Sequence, residues 1–123
     1  MSVCPGFTVF GQSHELGFNL FKDSLYKILE HAAKFNNIEI LIEPADKYET
    51  DIIIFIKYSL RLLKEMNKSN LGLVLDTGHI NVNKESFSDA IRLLRGYIKH
   101  IHIDDNHVYN DDHLIPGEGN INF

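Results

Sequence analysis

Short apolar runs alternate with amphipathic stretches along the chain, and this alternation constrains the fold more than any other feature. Residues 38–43 (Ile38, Glu39, Ile40, Leu41, Ile42, Glu43) read as a buried strand ending at Pro44. Residues 71–76 (Leu71, Gly72, Leu73, Val74, Leu75, Asp76) read as another, closed by Thr77-Gly78. Residues 97–103 alternate in polarity and carry Ile98, Ile101 and Ile103, which suits a third, less apolar strand. A fourth is expected at the N-terminus, ending near Cys4 before Pro5-Gly6. Between them, Phe21, Leu25, Ile28, Leu29, Ala32 and Phe35 recur at helical spacing over about 19–36. Residues 50–67 do the same through Ile52, Ile53, Phe55, Ile56, Leu60, Leu63 and Met66, with Thr50 as the expected N-cap. Ile52–Ile56 would also suit a strand, but the helical period continues beyond it. Residues 84–95 place Phe87, Ala90, Ile91 and Leu94 on one face before Gly96. The order β-α-β-α-β-α-β implies an α/β domain of about four parallel strands alternating with three helices.

Charge is unevenly distributed. The chain carries 12 Lys and Arg against 17 Asp and Glu, and five of those acids (Asp104, Asp105, Asp111, Asp112, Glu118) fall in residues 100–123, which hold no Lys or Arg. The first 99 residues are therefore neutral. The same segment holds His100, His102, His107 and His113. On composition alone it is a solvated acidic tail. It repels a phosphate backbone, which disfavours a nucleic-acid partner, and it is suited to divalent metals. No run of about 18 apolar residues exists, so no membrane span is expected. The start, Met1-Ser2-Val3-Cys4-Pro5, has no basic region followed by an apolar block, so no secretory signal is expected. One cysteine forms no internal disulfide, consistent with a cytoplasmic protein.

In parallel α/β folds, ligands bind beyond the carboxyl ends of the strands. The residues there are Cys4, Glu43, Asp76 with His79, and His102. Each has a structural reading when taken singly: Glu43 ends a strand, Asp76 forms a turn, and His102 and Cys4 pack in a core. Together, at equivalent positions, Glu43, Asp76 and His102 point to a metal site. Asp111 and His113 form an Asp-x-His pair that can present an oxygen and a nitrogen to one ion. Pro116-Gly117-Glu118-Gly119 reads as a turn or as a close backbone approach to a ligand, but it lacks the lysine and following helix of a phosphate loop. Asn106 is a second candidate for substrate contact.

The strings Ile42-Glu43-Pro44, Asp76-Thr77-Gly78-His79, His100-Ile101-His102-Ile103-Asp104-Asp105-Asn106 and Asp112-His113-Leu114-Ile115-Pro116-Gly117-Glu118-Gly119-Asn120-Ile121 resemble the xylose isomerase-like TIM-barrel superfamily. That group includes sugar and sugar-phosphate isomerases and epimerases, and endonuclease IV. The resemblance implies a partial TIM (β/α)8 barrel, with residues 1–123 forming one domain similar to strands four to seven. A complete barrel takes roughly 250 residues. The reading favours truncation, with one half of a split protein or a self-completing subunit as the alternatives.

By motif, Glu43, Asp76 and His102 match three of the family's metal ligands. The fourth, a glutamate on the last strand, has no counterpart before Phe123. Where the family commonly has His-Pro-Gly, this chain has Cys4-Pro5-Gly6, which leaves Cys4 open as a ligand or a packed thiol. The implied cofactor is a divalent metal (Mn, Mg, Co or Zn). The implied function is isomerisation or epimerisation of a small sugar or sugar phosphate by proton transfer next to a metal-bound carbonyl. Glu43 would move the proton, and His79, Asn106 and Gly117 would contact the substrate. Asp76 to His79 and Asp111 to His113 also match the spacing by which endonuclease IV holds further zinc, so an abasic-site phosphodiesterase is one alternative. An inactive remnant, or a subunit completing a barrel as a homo-oligomer or with a second chain, is another.

Overall fold

Leu71–Asp76 is buried at every position, as a strand flanked on both edges and covered on both faces must be. The computed structural model describes Met1–Phe123. It runs β1 (Ser2–Val3), α1 (His14–Ala32), β2 (Ile40–Ile42), α2 (Ile56–Met66), β3 (Leu71–Asp76), α3 (Thr77–Val82), α4 (Phe87–Leu94) and β4 (Ile98–His102). The strands form one parallel sheet in the order β1-β2-β3-β4. Each connection advances by one strand, which is the topology of a barrel segment. No helix is long and apolar enough to cross a membrane.

The two faces of the sheet differ. Val3, Ile40, Ile42, Leu71, Leu73 and Leu75 turn to the helices and pack with Phe18, Leu25 and Leu29 of α1, Leu62 and Leu63 of α2, and Leu94 of α4. Residues alternate across a strand, so Leu41, Glu43, Gly72, Val74 and Asp76 face the other way. Val3 is paired with Ile42, and Asp76 with His102. Cys4, Glu43, Asp76 and His102 therefore share the face away from the helices. An irregularity in β4 secures the last of these. Leu73 pairs with Ile98 but Val74 pairs with His100, so Lys99 is an extra residue in the ladder. Without that bulge the register would set Ile101 against Asp76. With it, His102 arrives there, as bulges beside functional sites commonly achieve.

The structure has four helices where the sequence suggests three, because a short one, α3, starts directly at Asp76. The Asp76 carboxylate caps it by accepting from the His79 N–H at 3.1 Å. Helix α1 starts at His14, earlier than the expected 19, with Ser13 as its N-cap. Helix α2 starts at Ile56, not at Thr50. The Thr50 hydroxyl is already engaged, donating to the Gly6 carbonyl at 2.7 Å and accepting from the Ile52 N–H at 3.0 Å. Ile52 and Ile53 are buried in the approach loop instead. The cap comes from a distant residue: both Glu85 oxygens accept from the Ile56 N–H, at 2.9 and 3.2 Å.

Candidate metal centre

The carboxyl ends of β2, β3 and β4 bring three side chains together. His102 Nδ1 lies 2.7 Å from Glu43 Oε1 and 3.4 Å from Asp76 Oδ2. Glu43, Asp76 and His79 also offer donor atoms within 4.8 Å of one another. The Cys4 thiol donates to Glu43 Oε2 at 3.8 Å, so β1 contributes at the edge of the same cluster.

A second group lies beside the first. His79 Nδ1 is 3.3 Å from Asp46 Oδ2 and 3.5 Å from Asp111 Oδ2. His113 Nδ1 is 2.9 Å from Asp104 Oδ2, and its Nε2 is 3.3 Å from Asp111 Oδ2. Asp111 Oδ2 is buried yet has no hydrogen-bond partner. An orphaned carboxylate oxygen between two imidazoles, within a cluster of acids, suits a bound cation.

The electrostatics favour a cation as well. Burial pushes the Asp76 carboxyl above its ordinary value, with His79 and His102 opposing and Asp104 adding to the rise. Burial also raises Asp111 against the pull of His79 and His113. The His113 imidazole loses basicity through burial but is raised overall by Asp111 and Asp104. Burial and then the Glu43 charge push the Cys4 thiol up. Buried carboxyls held away from their ionised form are relieved when a positive charge arrives.

Gly78 makes this approach possible. A Cβ there would lie 2.5 Å from Asp111 Oδ1 and 2.7 and 2.8 Å from the Asp104 oxygens. Its N–H donates to Asp104 Oδ1 at 2.9 Å. Motif reading passes over Asp46, and it gives no role to Asp104 although that residue lies within a matching string. Asp46 is buried three residues past Glu43 in the same loop, and Asp104 is two residues past His102. Their distance from a strand end by two or three residues is the signal that could have found them.

Two expected substrate contacts face the protein. Asn106 is fully buried. Its amide donates to the Gly78 carbonyl at 3.0 Å and to Asp111 Oδ1 at 3.4 Å, and its Oδ1 accepts from Asn81 and from the Val108 N–H. Gly117 adopts φ +97°, and its N–H donates to Asp105 Oδ2 at 3.0 Å. Asp105 is fully buried. Burial alone would raise its carboxyl, but the backbone N–H groups of Ile121, Gly119, Gly117 and Asn106 hold it below the ordinary range.

A solved D-tagatose 3-epimerase-like protein superposes with a TM-score of 0.87 at 30% identity, over 99% of this chain and 47% of its own. The IolI protein, solved with a bound zinc atom, superposes with a TM-score of 0.81 at 21% identity over 98% of this chain and 45% of its own, and that likeness concerns the fold. In sequence, the 3-dehydro-D-guloside 4-epimerase of Escherichia coli K12 is 27% identical over 104 residues, 85% of this chain and 37% of the enzyme. The chain thus spans about half the length of the solved barrels and just over a third of that relative. The family model described as xylose isomerase-like TIM barrel matches residues 1–123, and the chain belongs to that family.

Proposed function

We propose that the chain carries the metal-binding half of a cytoplasmic, divalent-metal-dependent isomerase or epimerase of a small sugar or sugar phosphate. The observation that carries this reading is the meeting of Glu43, Asp76 and His102 from three neighbouring strand ends, with His79 within reach of the same two carboxylates. The likeness to sugar epimerases and the zinc of the IolI structure support it.

Glu43, Asp76 and His102 would hold one ion, either Mn2+, Mg2+, Co2+ or Zn2+, whose ligand preferences this oxygen and nitrogen set satisfies. Asp111 and His113, with His79, form a second position. The ion held by Glu43, Asp76 and His102 would supply the positive charge that polarises a sugar carbonyl and acidifies the adjacent C–H. Glu43 then receives that carbon's proton on a carboxylate oxygen and returns it. His79 meets a substrate oxygen through Nε2, while Asp46 and Asp111 flank Nδ1. Asn106 and Gly117 shape the wall through the groups they already bind.

The Asp111, His113 and His79 cluster also suits a zinc-dependent phosphodiesterase of the endonuclease type. Five acids without a Lys or Arg in residues 100–123 work against a polyanionic substrate, so the sugar reading is preferred.

The test is solvent exchange. Incubated with Mn2+ and a ketohexose in D2O, the protein should exchange the proton next to the carbonyl, followed by NMR. Glu43→Gln should slow that exchange by about a hundredfold or more with unchanged circular dichroism. Full exchange in the variant would contradict the role of Glu43. An inert wild-type protein would contradict the isomerase reading.

A further inference from the structure

Asp104 and Asp105 are adjacent acids, yet they do different things. Asp104 faces the cluster, while Asp105 turns inward and is fully buried. Its Oδ2 accepts from the Gly117 N–H at 3.0 Å and the Gly119 N–H at 2.9 Å. Its Oδ1 accepts from the Ile121 N–H at 3.0 Å and the Asn106 N–H at 2.8 Å. Its own backbone N–H and carbonyl both pair with Leu114 at 2.8 Å. One carboxylate thus gathers both ends of the loop that begins after β4. Gly119 is required on the loop side, because a Cβ there would collide with Asp105 Oδ1 and lie 2.5 Å from the Asn106 carbonyl.

The clamp is linked to the candidate metal centre. The Asn120 N–H donates to the Asn106 carbonyl at 3.0 Å, and the Asn81 amide on α3 bridges Asn106 Oδ1 and Asn120 Oδ1 at 2.8 and 3.0 Å. The Asn106 amide reaches Asp111 Oδ1. Asp111 and His113 lie inside the loop that Asp105 closes. Apolar side chains give the segment little hold: Tyr109 and Ile115 are exposed, Val108 and Leu114 are half-buried, and Ile121 alone among them is buried.

We propose that Asp105 is a positioning residue, which closes the loop over residues 106–121 and through Asn106 sets Asp111 and His113 against His79. The inference rests on the metal-site reading for what the loop does, and on geometry alone for the clamp. Asp105→Asn is nearly isosteric, but its amide nitrogen opposes N–H donors instead of accepting from them. Partners that orient metal ligands typically change affinity by about ten- to a hundredfold.

The experiment uses the full chain and Co2+ as probe, reading the visible absorption of the bound ion, with backbone amide exchange read separately in the metal-free protein. In Asp105→Asn, the amides of Gly117, Gly119 and Ile121 should lose protection while Leu71–Asp76 keeps it. Co2+ affinity should fall about tenfold or more, with an altered spectrum. Gly119→Ala should reproduce both effects from the other side of the clamp. Unchanged protection at Gly117–Ile121 would overturn the proposal, as would loss of protection throughout β3 in both variants, since the carboxylate would then hold the sheet and not the loop. Lost loop protection with unaltered Co2+ binding would overturn the link to the metal ligands. A wild-type protein that binds no Co2+ would instead sink the metal-site reading, while the exchange data still judged the clamp.

Discussion

Two buried aspartates at the carboxyl end of the sheet are handled in opposite ways. Asp105 is surrounded by N–H donors and is held ionised. Asp111 has one oxygen that makes no hydrogen bond and lies between the His79 and His113 rings, and burial raises its carboxyl, as it does that of Asp76. A carboxylate satisfied by the backbone has a structural role, whereas one left without donors is available to a cation. The raised groups set the sign of a pH effect. A carboxyl whose value lies above the ordinary range keeps its proton further into mild acid. A metal must displace that proton, so binding releases protons and affinity climbs with pH until both carboxyls are ionised. Calorimetry of Mn2+ binding in buffers of different ionisation heat should therefore find proton release that grows as pH falls from neutral. Proton release that is absent at every pH would contradict the role of Asp76 and Asp111.

At the scale of elements, Glu85 illustrates what local sequence cannot disclose. It closes the N-terminus of α2 from 29 residues away, and the local N-cap position, Phe55, has no side-chain bond to offer. Removing a cap typically costs about 1 kcal/mol, so Glu85→Ala should lower the melting temperature by about 3–6 °C and expose the Ile56 amide to exchange. An unchanged Ile56 amide would show that the carboxylate is not the cap.

The same logic decides which parts of the fold were legible beforehand. Leu71–Asp76 is legible with its bounds intact, because Leu71–Leu75 is apolar throughout and Asp76 before Thr77-Gly78 marks its end. The start of α2 was misplaced because Ile52, Ile53 and Ile56 keep a helical period while the backbone before Ile56 is spent on loop contacts. Helix α3 went unseen because it has six residues, begins at a strand end and contains Gly78. The bulge at Lys99 does leave a trace, since Lys99-His100 sets two polar residues in a row and breaks the alternation between Ile98 and Ile101. The convergence of Glu43, Asp76 and His102 was legible because strand ends in a parallel sheet are forced to one side. Asp46, which meets His79 only through a loop fold, was not.

The whole molecule is an open segment of a closed architecture. In this sheet β1 pairs only with β2, and β4 only with β3, so each presents a free edge. Apolar side chains stand exposed near both: Met1, Phe35 and Ile38 on one side, Ile91, Ile101, Ile103 and Phe123 on the other. Free edges beside exposed apolar surface are where further strands add to a sheet. Whether Glu43, Asp76 and His102 hold a divalent ion is read by native mass spectrometry, which reports bound metal and association state together. Chains should retain at least one divalent ion each, and His102→Ala should lose that ion with the association state unchanged. A metal-free monomer, or a variant that keeps the ion in full, would contradict that ligand set.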